Sequence, residues 1–150
     1  MPAADTAELK RRLRGEGFEI YRTLESKVLL AERVRDNLIM DSGVAAGPMT
    51  EGTTGEALCV FVTIRAQLSH FPGAGADAVQ SHAWGLARPF QDRGYAAGEP
   101  ATSEMRDPSR PDRTLDTIFE IPLCRQLDDP QGLLTELRIA LSLPRSSSDG

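Results

Sequence analysis

A chain of 150 residues with 40% hydrophobic and 26% charged side chains has the makeup of one globular domain, large enough to bury a core without metal or disulfide staples. Its formal charge of −5 argues against a nucleic-acid partner, which asks for a basic face. No apolar run nears the roughly 18 residues of a bilayer span, so no membrane partner is expected either. Only 5% of the residues are aromatic, and aliphatic side chains must fill the interior.

Asp5-Thr6-Ala7-Glu8 has the spacing of a capping box, and Leu9 and Leu13 then share a helix face, so a helix is expected over 5–15, ended by Gly15 or Gly17. Phe18 to Thr23 alternates and favours a strand. Val28 to Val34 fits either a strand or a helix capped by Ser26. The strand is preferred, because the preceding run needs a partner and a hairpin is the shortest route to one. Leu38-Ile39-Met40 reads as a third short strand after a turn at Asp36-Asn37. Gly47 to Gly55 reads as loop.

Residues 57–66 carry the clearest pattern in the chain. Leu58, Val60, Val62, Ile64 and Ala66 form an aliphatic row. Cys59, Phe61, Thr63 and Arg65 form a row that grades from apolar to charged. This is a strand with one face on a core and the other partly covered. After a loop at Phe71–Gly75, Asp77 is the expected cap of a helix with Val79, Ala83, Leu86 and Phe90 on its apolar side, kinked or cut short at Pro89. Residues 101–106 and 115–124 are expected to pair as a hairpin with its tip at 106–113. In the second strand Leu115, Thr117, Phe119, Ile121 and Leu123 share a parity. Asp129-Pro130 starts a last helix, with Leu133, Leu137, Ala140 and Leu141 as its stripe and Pro144 as its stop. The expected organisation is one domain over 1–144 and a disordered tail over 145–150.

The fold class that emerges is α+β, a mainly antiparallel sheet with helices packed on one face, in the order α-β-β-(β)-β-α-β-β-α. A weak internal echo joins its halves: a helix, then Gly-Phe or Gly-Tyr, then a hairpin. The element order is similar to that of secretion-chaperone-like proteins, and this resemblance in topology implies a small, acidic, cytosolic homodimer. No motif accompanies the likeness, and fold alone does not fix function.

Chemistry-bearing constellations are sparse. His70 and His82 are the only histidines, with no Cys or carboxylate at ligand spacing, so no metal is expected. No cofactor motif occurs, and no catalytic residue is assigned. Ser69-His70 and Asp41-Ser42-Gly43 contain triad residue types without the strand-turn setting that a nucleophile needs. Gly52-Thr53-Thr54-Gly55 lacks the Gly-Lys-Ser/Thr of a phosphate loop. Glu32 shares a parity with Val28 and would point to the core or a cleft. Cys59 and Cys124 both fall in strands and are read as buried free thiols. Of the 17 positive residues only Lys10 and Lys27 are lysines, which fits a GC-rich genome. No basic-then-apolar opening segment marks a signal peptide, and a cytoplasmic location is expected.

Five residues remain as candidates for ligand binding or an interface. Trp84 is a core residue or an exposed anchor. Thr63 and Arg65 would line a crevice between sheet and helix. Arg110 and Arg113 lie at a hairpin tip, where they pair internally or meet an anionic partner. Three functions fit this inventory. The first is a non-enzymatic interaction module, chaperone- or adaptor-like, binding a protein partner or itself as a homodimer. The second is a small-ligand regulatory domain, and the third is a small enzyme with a histidine base.

Overall fold

A computed structural model describes residues 6–24, 27–35, 38–48 and 58–146. The capping residue Asp5, the turn at Asp36-Asn37, most of the 47–55 loop and residues 147–150 lie outside the described residues. The elements are α1 (Thr6–Gly15), β1 (Ile20–Thr23), β2 (Val28–Arg35), β3 (Leu38–Pro48), β4 (Leu58–Gln67), α2 (Ala76–Gln91), β5 (Ala96–Ala97), β6 (Ala101–Asp107), β7 (Arg110–Leu127) and α3 (Pro130–Ser142), with a 3-10 turn at Leu68–His70. The three helices pack against a seven-stranded antiparallel sheet of order β1-β2-β3-β4-β7-β5, with β6 also on β7. The α+β class and the reading of Val28 to Val34 as a strand stand.

The chain falls into two compact units, Met1–Val62 with Cys124–Leu143, and Thr63–Leu123 with Pro144–Gly150. In the first unit α1 packs on β1 and β2, and α3 packs on β3. Val28, Leu30, Val44, Ala46, Val60 and Val62 are closed off from water, as are Leu13, Leu133 and Leu137 on the helices. Each large aliphatic side chain buried this way contributes about 1.5–3 kcal/mol. Arg138 ties α3 to the exit of α1, with its guanidinium 5.2 Å from the Phe18 ring centre and 3.2 Å from the Glu16 carboxylate. Asp129 caps α3 by accepting the Gly132 N–H at 2.6 Å, and proline follows it, as the sequence indicates.

In the second unit α2 buries Val79, Ala83, Ala87 and Phe90. Ala87 takes the place expected for Leu86, which is half-buried. Gly75, not Asp77, holds the N-cap position. The helix also runs through Pro89 to Gln91. Proline has no N–H to give the Gly85 carbonyl four residues back, and Gly85 lies at an exposed position of the helix. The β4 residues Ile64 and Ala66 and the β7 residues Ile121 and Leu123 are buried here. Beyond Val62, the Arg65 N–H donates to the Arg145 carbonyl at 3.0 Å, and Ser146 bridges to Arg65, so residues 145 and 146 of the expected tail run alongside β4.

The echo between the halves has a physical basis. Gly17 and Gly94 end α1 and α2 at φ of +93° and +98°. In each case the glycine N–H donates three residues back and the next N–H five residues back: Phe18 to Leu13 and Tyr95 to Phe90. This is a Schellman closure, and glycine takes the left-handed position because it has no Cβ to clash.

β3 departs most from expectation. Instead of a short strand at 38–40 and loop from Gly47, one strand runs from Leu38 to Pro48. It continues through Ser42-Gly43 because those residues form a bulge, where the pairing with β2 steps from Leu29↔Ala45 to Ala31↔Asp41. Gly43 sits at φ +82° and its N–H donates to Asp41 Oδ1. Ser42 Oγ donates to the Leu30 carbonyl at 2.8 Å and accepts from the Val44 N–H.

Candidate functional site

Thr63 and Arg65 lie on the exposed face of β4, opposite the closed row of Ile64 and Ala66. The strand alternates its side chains, so the two stand on the side of β4 away from that row. Trp84 is 37% exposed on α2, next to the buried Ala83.

The hairpin carrying Arg110 and Arg113 differs from the expected eight-residue tip. β6 and β7 are joined by Pro108-Ser109 alone, with Asp107 paired to Arg110. Asp107 Oδ1 accepts from both the N–H and the hydroxyl of Ser109, and these bonds hold its carboxyl below the usual range. Proline at the second turn position presets the backbone angle that such a turn requires. The pairing then jumps from Asp107↔Arg110 to Arg106↔Thr114, so Pro111, Asp112 and Arg113 bulge out of β7. A bulge suits Pro111, which has no N–H to give a ladder. Arg106 closes it by donating to the Pro111 carbonyl at 3.0 Å and pairs with Glu104. Arg110 thus stands on the strand and Arg113 on the bulge, both exposed.

The outer parts of two ribbons are wet on both faces. In the second unit every residue from Ala101 to Arg106 and from Arg110 to Leu115 is exposed, including Met105 and Leu115 at 45% and 49%. In the first unit Leu38, Ile39 and Met40 are 40%, 38% and 53% exposed. They face Arg35, Arg33 and Glu32 of β2. Glu32 is exposed as well, not directed to the core, because the ribbon has run past the covered part of the sheet. Composition alone does not reveal this patch, since three adjacent apolar residues read as interior.

Chemically reactive groups are engaged in structure. Ser42 spends its hydroxyl on the bulge. His82 is exposed, with the Phe71 ring edge-on at 5.0 Å, and His70 is half-buried at the end of the 3-10 turn. Among the described residues no three His, Cys, Asp or Glu side chains gather as a metal site, and no helix is long and apolar enough to cross a membrane. Cys59 and Cys124 are free thiols side by side, and burial, reinforced by Cys124, pushes the Cys59 thiol up to about 12. So protonated a thiol is a poor nucleophile.

Asp116, unremarkable in the sequence, accepts four hydrogen bonds. It takes the Ser69 hydroxyl at 2.7 Å, the Ser69 N–H at 3.0 Å, Gln67 Nε2 at 2.9 Å and the Thr117 N–H at 2.8 Å. Burial works to raise its pKa, but the donors of Ser69, Gln67 and Thr117 outweigh it and hold the carboxyl below the usual range. A folded-state value below the unfolded one adds stability that is present above the unfolded pKa of about 3.9 and lost as pH falls through the folded value. Asp116→Asn is therefore expected to flatten the fall in stability below about pH 4. Denaturant midpoints measured down the acid limb for both proteins check this, and parallel limbs would contradict it.

No family model, curated protein or solved structure matches this chain.

Proposed function

We propose that this protein is a non-enzymatic interaction module of the cytoplasm, chaperone- or adaptor-like, that binds an extended apolar segment of another protein and associates with itself. The observation that carries this reading is the exposed run Leu38-Ile39-Met40 on β3. A strand that keeps consecutive apolar side chains in water on both faces loses their burial energy, and exposed apolar surface of this kind marks interaction sites. The mixed-sign neighbours Glu32 and Arg33 supply a polar rim.

The test is binding of a permanently unfolded, carboxymethylated model protein, followed by fluorescence anisotropy. The wild-type chain is expected to bind, and Leu38→Glu with Met40→Glu to weaken binding about tenfold or more, with an unchanged denaturation midpoint. Equal binding by the two proteins, or none by the wild type, would overturn the reading.

A further inference from the structure

β6 has β7 on one side and, among the described residues, no strand on the other. An edge of this kind presents unpaired N–H and C=O groups to any strand that fits. Natural edges are blunted by charge, and Glu104, Arg106 and Asp107 supply it here. These charges deter unrelated strands, but their signs are not arranged at random.

Antiparallel pairing of β6 with the β6 of a second copy, centred on Met105, sets Met105 opposite itself and Glu104 opposite the other copy's Arg106 on both sides of the centre. Ser103 then faces Asp107. Centring on Glu104 or on Arg106 would instead oppose like charges, which is destabilising in direct cross-strand pairs. Pro100 and Pro108 bracket the strand, and neither can donate to a ladder, which limits pairing to the residues between them. The guanidinium of Arg106 already meets Glu104 and the Pro111 carbonyl of its own chain, and five N–H donors let it serve a second carboxylate too.

A two-stranded ribbon open on both faces is marginal in water, and a second ribbon would make it four-stranded, β7-β6-β6-β7. The contact is the same patch on both copies, so it closes as a two-fold dimer and does not propagate. We propose that β6 is a homodimerisation edge and that the Glu104/Arg106 alternation around Met105 sets its register. The inference rests on the interaction-module reading and names a second copy of this chain as one partner.

Light scattering on the full chain over a concentration series tests it. The wild type is expected to approach twice the chain mass. Glu104→Arg and Arg106→Glu, each alone, face like charges and should remain monomeric. Mixed together they should form a one-to-one dimer, because each supplies the charge that the other needs. The double variant E104R/R106E, which keeps both the internal and the intermolecular pairs, should dimerise like the wild type. A wild type that is monomeric throughout, single variants that dimerise as well as the wild type, or a mixture that stays monomeric would each overturn the β6 assignment. A dimer indifferent to these charges would sink this edge and leave the module reading standing, whereas a wild type monomeric throughout would also remove self-association from that reading and leave its partner binding to its own test.

Discussion

Replacing Phe90 by alanine is expected to cost about 3–5 kcal/mol of folding free energy. Phe90 is fully buried on the inner face of α2, and its ring meets Tyr95 edge-on with centres 5.3 Å apart. Its carbonyl also accepts the Tyr95 N–H that closes the helix. Truncation would remove the ring, leave a cavity and loosen the contact on which the closure rests. Against a total stability of about 5–15 kcal/mol for a chain of this size, the loss is a large share. Urea denaturation followed by far-UV circular dichroism measures it. Trp84→Ala, six residues earlier on the same helix, supplies the contrast, because its side chain is already partly in water and less burial is lost. If Trp84→Ala proved as damaging as Phe90→Ala, the assignment of the buried face of α2 would be wrong.

The second large effect is expected at Arg125. Its guanidinium lies 2.9 Å from Glu136 Oε1, and the Glu136 side chain, on the inner side of α3, is only 4% exposed. Arg125→Ala would remove one charged partner of that buried carboxylate, at a cost of about 3 kcal/mol, the low end for a broken buried pair because Arg125 itself is partly solvated. Arg125→Met with Glu136→Leu should recover most of the loss, because an apolar pair of similar volume carries no desolvation cost. Denaturation midpoints of the single and double variants decide the matter. A single variant as stable as the double would show that the ion pair does not carry this position.

Much of the architecture was legible in the residues, for reasons that differ by element. β4 was clear because period-two alternation between aliphatic and polar residues leaves little else for the backbone to do. α3 was clear because Asp129-Pro130 carries its own start signal. β3 was misread because Ser-Gly is the vocabulary of loops, and only the partner strand shows that Ser42-Gly43 interrupts a ladder without ending it. β5, two residues long, carried no pattern to read. The arginine-rich tip was overestimated because a bulge of Pro111, Asp112 and Arg113 looks like turn when its strand partner is unknown.

The exposed surfaces were harder still. Alternation tells which side of a strand a residue occupies, but not how far along the strand the covering helix reaches. Leu38, Ile39 and Met40 therefore read only as a short strand, and Glu32 as directed to the core or a cleft, although both lie where the ribbon has left its cover. Asp116 had no signature at all, since its partners Gln67 and Ser69 lie 49 and 47 residues away.

The bulge at Ser42-Gly43 makes chain length as heritable a constraint as residue identity. Deleting one codon there would exchange the two faces of β3 beyond the lesion, turning Val44 and Ala46 outward. Descendants of this sequence should thus carry no gain or loss of a residue between Asp41 and Val44.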